Sequence, residues 1–408
     1  MSELLLTNIG MLATPTGSSA RRGAEQGQIQ ILRNAWVLIS QGQIAQVGTG
    51  TPPSVSGAQV VDAGGKLVTP GLVDAHTHLI FGGWRQNELG MKLHGESYLD
   101  IQNAGGGIQS TTNATRQATE EELTQKAAKA LDEMMRFGTT ACEAKSGYGL
   151  ALEHELKQLR AIRRLQEEHP MDVTATFMGA HLVPAEYKQD RAEYIRLVCE
   201  EMMPAVKEQG IAKFCDVFCE ADTFTVDESR QILEAGLRHG LRPKIHADEI
   251  EAIGGSQLAG EIGAISAEHL IVCPPEGIAS MAKGGVIACL LPATSFCLGS
   301  TYAPAREMVS AGVPVAMASD FNPGSCPCLN LQLVINLGCL RYRLTPEEVL
   351  TAVTLNAAAA IDMADHVGSV EAGKQGDLVI WDAPDLDYIC YRFGSNLVQT
   401  VIKKGRLV

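Results

Sequence analysis

The sequence predicts an α/β protein: a closed (β/α)8 barrel of the TIM type, with a small β-sandwich domain formed by both chain termini. Three observations predict this fold class. Between about residue 70 and residue 320, short apolar runs alternate eight times with helical patterns. The two flanks carry strand patterns with no helix between them, and polar residues gather where the apolar runs end. Eight alternations of strand and helix are typical of a closed parallel barrel.

The predicted barrel strands are apolar or β-branched and finish in polar residues; they cover 72–78, 139–147, 172–181, 211–220, 242–249, 264–270, 286–292 and 313–320. Helical spacing fills the segments between them. The segment ATEEELTQKAAKALDEMMRFG (118–138) begins with Thr and Glu and ends at Gly, and VDESRQILEAGLRHG (226–240) also ends at Gly. These are helix start and stop signals.

The segments on either side of the predicted barrel carry strand patterns without helices between them. Residues 30–50, 377–384 and 400–408 predict short strands around glycine-containing turns. Because both ends of the chain share this character, we expect them to form one domain. The predicted division is residues 1–65 and 365–408 for the β-sandwich domain and residues 66–364 for the barrel.

Composition limits the partners and the compartment. The 408 residues include 33 basic and 47 acidic ones, and the net charge of −14 disfavours nucleic acid and anionic membranes as partners. The N-terminus lacks the basic start and long apolar segment of a secretory signal, which predicts a cytoplasmic protein. Eleven irregularly spaced cysteines fit reduced thiols better than a disulfide framework.

The first predicted barrel strand, in LVTPGLVDAHTHLIF (67–81), ends in two histidines one residue apart. Alternate residues of a strand share a face, so His76 and His78 can reach one metal ion together. Two histidines that merely sit near a strand end would look the same. The metal interpretation therefore depends on further ligands.

Further candidate groups stand at the other strand ends. Barrel active sites lie at the C-terminal ends of the strands, so these groups are expected to converge. They are Lys145, His181, Glu220, His246 with Glu249, His269 and Asp320. Each one alone could be a structural residue, but five of the ten histidines end strands, which favours a shared site.

Several motifs resemble the amidohydrolase superfamily over nearly the whole chain: VTPGLVDAHTH (68–78), KIHADE (244–249), SAEH (266–269) and ASDFNPG (318–324). Arg85, KSGYG (145–149) and GAH (179–181) resemble one branch of it, which opens the lactam ring of an imidazolone that carries a propionate tail, a step of histidine degradation. The resemblance implies a metal-dependent hydrolase of cyclic amides.

The resemblance also implies roles for single residues. One Zn²⁺ or Fe³⁺ per subunit would be held by His76, His78, His246 and Asp320, a donor set that suits either metal. A single ion is expected because no lysine ends the fourth strand, where two-metal relatives place a modified lysine. Asp320 would take a proton from water, His269 would stabilise the oxyanion, and Glu249 would carry a proton to the leaving nitrogen. The order of donation between Glu249 and His269 stays open.

The implied substrate is small and anionic, so its carboxylate would meet the planar fork of Arg85. The other implied substrate-binding residues are Tyr98, Tyr148, His181, Glu249, Asn322, Gly324 and Ser325. The glycine-rich segment NAGGGIQSTTNATR (103–116) is expected to form a mobile loop over the barrel mouth.

Two other functions remain open. A ring deaminase would use the same histidines and carboxylates on an exocyclic amine, although an uncharged base would leave Arg85 and Tyr98 without a carboxylate to bind. A catalytically inactive scaffold would keep the barrel and retain no metal. A homodimer is the expected oligomer, since two-fold assemblies are the commonest.

Overall fold

Two eight-stranded sheets organise the computed structural model, which describes residues 3–95 and 105–408. The strands of the described residues are β1 (Leu4–Thr14), β2 (Gln30–Ser40), β3 (Gln43–Thr49), β4 (Gln59–Asp62), β5 (Leu67–Pro70), β6 (Leu72–Asp74), β7 (Thr139–Lys145), β8 (Asp172–Ala180), β9 (Phe214–Cys219), β10 (Arg242–Ala247), β11 (Ser266–His269), β12 (Ile287–Leu290), β13 (Val315–Met317), β14 (Leu378–Trp381), β15 (Val398–Lys403) and β16 (Arg406–Leu407).

The second sheet is a parallel barrel in which β6 to β13 follow one another in chain order. Its first and last strands meet just beyond their C-terminal ends. There the His78 N–H donates to the Phe321 carbonyl at 2.9 Å, and the Asp320 N–H donates to the His76 carbonyl at 3.0 Å. Closure at this rim places the two histidines of the first strand beside the aspartate of the last one.

The first sheet joins both termini in the order β16-β15-β14-β5-β1-β2-β3, with β4 also paired to β1. It is mixed, because β4 and β5 run parallel to β1 while the other neighbours are antiparallel. The barrel and this mixed sheet confirm the predicted fold class. The domain boundaries stay a prediction; β5, which falls just inside the predicted barrel range, pairs within the terminal sheet.

Helices cover the outside of the barrel. The α-helices of the described residues are α1 (Leu89–Leu93), α2 (Gly107–Gln117), α3 (Glu120–Arg136), α4 (Leu152–Glu168), α5 (Arg191–Leu197), α6 (Met203–Gln209), α7 (Val226–Arg238), α8 (Gly255–Ile262), α9 (Pro275–Gly284), α10 (Pro292–Leu298), α11 (Ala305–Ser310), α12 (Leu331–Leu340), α13 (Pro346–Ala352), α14 (Leu355–Ala360) and α15 (Leu386–Tyr391). A π-helical turn (Val198–Met202) joins α5 to α6.

The predicted helix starts are confirmed at α3 and α7. The side chains of Thr119 and Thr225 each accept a hydrogen bond from the backbone N–H group three residues later. In turn, the Glu122 and Glu228 carboxylates accept hydrogen bonds from the backbone N–H groups of Thr119 and Thr225. These capping boxes satisfy N–H groups that the first helical turn leaves without partners.

The prediction of a loop over 103–116 is wrong from Gly107 onward, where α2 begins; residues 103 and 104 lie outside the described residues. The Thr112 and Thr115 hydroxyls donate to the carbonyls four residues earlier, and both side chains are buried. Packing of this face outweighs the modest helix propensity of threonine and glycine.

Among the described helices, none combines the length and apolar character that crossing a bilayer requires. All eleven cysteines fall within the described residues and are free thiols, as the irregular spacing predicted.

Candidate active site

Three imidazoles converge at the C-terminal rim of the barrel. His76 Nε2 and His78 Nε2 are 3.3 Å apart, and His78 Nε2 lies 3.4 Å from His246 Nε2. All three side chains are buried. Burial together with the charges of Lys145 and His246 holds the pKa of His76 well below its usual value, and burial with His181 and His246 does the same for His78. Neutral imidazoles are the form that binds metal.

Asp320 joins the three histidines from the segment that follows β13, the last barrel strand. Its Oδ1 lies 3.4 Å from His76 Nε2 and 3.6 Å from His78 Nε2, and Oδ1 has no hydrogen-bond partner among the described residues. Its Oδ2 accepts a hydrogen bond from the Thr294 hydroxyl at 2.6 Å. Burial raises the pKa of Asp320 to about 6. The backbone at Asp320 has φ +56°, an unfavourable conformation that functional sites often retain.

These donors fit a metal ion. The ligand atoms of His76, His78 and His246 all lie within 4.8 Å of one another, as do those of His76, His269 and Asp320. Unprotonated imidazole nitrogens that face each other at such distances make no favourable contact, whereas one cation among them would satisfy these nitrogens and the unpartnered Oδ1 together. Imidazole nitrogen with carboxylate oxygen suits zinc or iron.

Two buried carboxylates contact the Nδ1 atoms of His76 and His246. Glu268 Oε2 lies 2.7 Å from His76 Nδ1, and Asp216 Oδ1 lies 3.1 Å from His246 Nδ1. A carboxylate at Nδ1 favours the tautomer with the proton there, which leaves Nε2 as the metal donor. Neither residue was predicted from the sequence, although each is an acidic residue within a buried strand, Asp216 in FCDVFC and Glu268 in SAEH.

Glu249 and His269 stand next to each other beside the cluster, with 3.6 Å between His269 Nε2 and Glu249 Oε2. Burial, aided by the charges of Asp320 and Glu220, raises the pKa of Glu249 to about 8. The Glu220 carboxylate accepts hydrogen bonds from the backbone N–H groups of Ile250 at 2.9 Å and Glu251 at 3.1 Å. Glu220 thus fixes the turn that follows Glu249.

His181 and Tyr148 lie beside this cluster, next to His78. The rings of His181 and His78 stack with centroids 4.9 Å apart, and the Tyr148 ring lies 5.2 Å from that of His181. The Gly147 carbonyl lies 3.0 Å from His181 Nδ1, so Nδ1 carries the proton and Nε2 is an acceptor. Burial, with the charge of His246, lowers the pKa of His181 to about 3.

Arg85 reaches the site from the segment after β6. A Cβ on Gly324 would lie 2.2 Å from Arg85 Nη1, so a larger residue at position 324 would displace the guanidinium from this position. The Arg85 guanidinium also pairs with Glu88, which the sequence analysis did not identify. Tyr98, predicted to bind substrate, lies outside the described residues.

The Asn322 side chain is engaged within its own loop. Its Oδ1 accepts hydrogen bonds from the N–H groups of Gly324 at 2.8 Å and Ser325 at 2.7 Å, and its Nδ2 donates to the Asp320 carbonyl at 2.7 Å. Nδ2 also donates to Ser325 Oγ at 2.8 Å. The Asn322 side chain therefore shapes this loop, as Asn side chains that cap the following backbone commonly do, and its predicted contact with substrate stays a prediction.

Comparisons with known proteins agree with this geometry. The profile of the amidohydrolase family matches residues 67–408. An imidazolonepropionase from Alkaliphilus metalliredigens is 51% identical over 414 residues, covering 100% of this chain and 98% of that protein. One from Geobacillus sp. is 49% identical over 416 residues, with 100% and 98% covered.

Solved structures show the same fold at lower identity. A mutant atrazine chlorohydrolase from Arthrobacter aurescens, solved with zinc and atraton, superposes with a TM-score of 0.74 at 17% identity and covers 99% of this chain and 94% of its own. An adenosine deaminase from Xanthomonas campestris with bound zinc gives a TM-score of 0.71 at 19% identity, with 100% and 92% covered. The family profile and the full-length relatives at about 50% identity show that the chain belongs to the amidohydrolase family and, within it, to the imidazolonepropionases.

Proposed function

We propose that this chain hydrolyses 4-imidazolone-5-propanoate to N-formimidoyl-L-glutamate, using one Zn²⁺ or Fe³⁺ held by His76, His78, His246 and Asp320. One observation carries the proposal: three imidazole nitrogens and an unpartnered carboxylate oxygen surround one point at the barrel rim. A cation at this point supplies Lewis acidity, which lowers the pKa of water towards ~7 and polarises a carbonyl group.

Asp320 is the proposed base. Its Oδ1 has no hydrogen-bond partner among the described residues, so the ionised carboxylate would both hold the cation and take a proton from the attacking water. The Thr294 hydroxyl fixes the other oxygen, so the orientation of Oδ1 is set before the substrate arrives. Water that loses a proton to Oδ1 attacks the lactam carbonyl carbon, and a new C–O bond forms.

Glu249 is the proposed acid. With a pKa of about 8, its carboxyl group retains a proton at neutral pH. The C–N bond of the ring breaks as this proton moves to the departing nitrogen, which opens the ring. His269 lies 3.6 Å from Glu249, and an N–H of its neutral ring would donate to the oxygen that gains charge.

Arg85, His181 and Tyr148 are the proposed substrate-orienting residues. Arg85 would bind the propionate, since a guanidinium matches a carboxylate with two donors. His181 would accept a hydrogen bond from a ring N–H of the substrate, because its own Nδ1 proton already goes to Gly147. Tyr148 packs beside both His78 and His181. Together these groups would present one face of the ring to Asp320.

The direct test follows the loss of imidazolone absorbance with purified, metal-loaded protein and identifies the product by mass spectrometry. The expected result is N-formimidoyl-L-glutamate, with turnover abolished in His78→Ala. Ammonia release from an amino-substituted ring base, without imidazolone turnover, would contradict the proposal in favour of a deaminase. Failure to retain metal would favour a scaffold.

A further inference from the structure

We propose that five alternating charges inside the barrel, Glu268, Lys244, Glu143, Lys145 and Asp216, form a positioning chain that orients His76 and His246 and so sets the affinity of the site for its cation. The inference rests on the proposed cation site. It assigns a function to three residues, Lys244, Glu143 and Lys145, that have no role in the proposed function.

Glu268 and Asp216, the two end members of the positioning chain, each contact a histidine that is proposed to bind the metal. Glu268 lies 2.7 Å from His76 Nδ1, and Asp216 lies 3.1 Å from His246 Nδ1. Each carboxylate fixes one ring plane and one tautomer, so that each Nε2 points at the same place. The Ser266 hydroxyl also donates to Glu268.

Three charged residues connect these ends. Lys244 Nζ lies 3.4 Å from Glu268 Oε1 and 3.0 Å from Glu143 Oε1. Lys145 Nζ lies 2.7 Å from Glu143 Oε2 and donates to Asp216 Oδ2 at 2.8 Å. Glu143, Lys145 and Lys244 are 0% exposed. Positive and negative groups therefore alternate without interruption from one histidine to the other.

Strand geometry explains how five charges meet in the interior. Side chains two residues apart share a face, so Glu143 and Lys145 both point inward from β7, as do Lys244 and His246 from β10. The barrel register sets Lys244 opposite Asp216 on one neighbour and opposite Ser266 on the other. His246 stands opposite Glu268. Glu268 is thus level with His246, whereas Lys244 and Asp216 lie two residues earlier along their strands, further into the barrel.

Burying a charge is costly unless an opposite charge pairs with it. Each of these five buried charges therefore depends on the neighbours that pair with it. Three carboxylates and two ammonium groups leave a net charge of −1, which favours a cation above them. Glu143 is the central member and pairs with both lysines. Removing its charge frees Lys145 and Lys244 to pull Asp216 and Glu268 away from the histidines.

The test measures the Zn²⁺ dissociation constant of metal-free full-length protein by competition with a chelating dye. Glu143→Gln is expected to weaken Zn²⁺ binding about 10-fold, the low end of the loss seen when a group that directly holds a metal ligand is removed, because Glu143 acts through Lys145 and Lys244. The double variant Glu143→Gln with Lys244→Met restores the net charge of −1 but not the ion pairs that link Glu268 to Asp216. It is expected to bind Zn²⁺ as weakly as Glu143→Gln alone. The matched control is Asp377→Asn, which removes a buried carboxylate 2.6 Å from Lys403 in the terminal sheet; its Zn²⁺ affinity is expected to stay within about twofold of the parent's.

Parent-like Zn²⁺ affinity in Glu143→Gln, or its recovery in the double variant, would overturn the positioning chain. Nitrogen-15 NMR of the metal-free parent tests it without a variant: protons on Nδ1 of His76 and His246 are expected, and protons on Nε2 would overturn it. A parent that binds no Zn²⁺, Fe²⁺ or Fe³⁺ would instead overturn the cation site itself.

Discussion

The Arg85 guanidinium and the Glu88 carboxylate form a two-point ion pair, with Nε 2.9 Å from Oε1 and Nη2 3.1 Å from Oε2. The two side chains are 8% and 2% exposed. Glu88 Oε1 also accepts the Gly107 N–H at 2.7 Å, which links the pair to the start of α2. Arg85 is therefore held in one orientation before substrate binds.

Arg85→Lys keeps the charge but removes the planar fork. We expect KM for 4-imidazolone-5-propanoate to rise about 10- to 100-fold, because a hydrogen bond to a charged group contributes roughly 1.5–3 kcal/mol. Steady-state kinetics should show a smaller change in kcat. Arg164→Lys, at an exposed pair on α4, is the control and should leave both constants unchanged. An unchanged KM in Arg85→Lys would remove the carboxylate assignment.

Glu249 must be protonated to act as the acid. Since its pKa is about 8, the active fraction is complete at lower pH and falls as the pH rises through about 8. Glu249→Gln should lower kcat by about 100-fold or more, within the usual range for general acid catalysis, and should abolish this alkaline decline. A variant that retains the parent's alkaline decline would show that another group donates the proton.

Glu220 provides a second test of proton donation by Glu249, since the charge of Glu220 contributes to the raised pKa of Glu249. Glu220→Gln should move the alkaline decline of kcat to lower pH and reduce kcat about tenfold, because the turn after Glu249 loses an acceptor. The measurement is a pH profile of kcat for the variant and the parent. Identical profiles would mean that the two carboxyl groups do not interact.

Thr294 donates a hydrogen bond that lowers the pKa of Asp320. Asp320 must be ionised to act as the base, so activity falls as the pH drops through its pKa. Thr294→Val removes the hydroxyl at nearly constant shape, and the acid decline of kcat/KM should move to higher pH. A decline that stays in place would argue against Asp320 as the base.

Much of the site was predictable because parallel strands bring their C-terminal ends to one rim. His76, His78, His246, His269 and Asp320 lie in four different sequence segments, yet each ends or follows a predicted strand, and the structure brings all five residues together. The resemblance to the amidohydrolase superfamily added their roles. Those roles remain proposals, as does the predicted homodimer.

The supporting residues were not predictable in the same way. Glu268 contacts His76 across 192 positions of sequence, and only the barrel register decides which acidic residue faces which histidine. Two other features had local signals. Asn322 followed by Pro and Gly is a turn pattern, and Arg85 and Glu88 are three residues apart, a spacing at which side chains meet in a helical turn.

The most direct test of the account adds Zn²⁺ or iron in steps to metal-free protein and records imidazolone turnover at each step. The predicted result is activity that rises linearly and levels off at about one equivalent per chain, with no such rise in Asp320→Asn. Activity that needs two equivalents, or that is full without metal, would contradict a single cation held by His76, His78, His246 and Asp320.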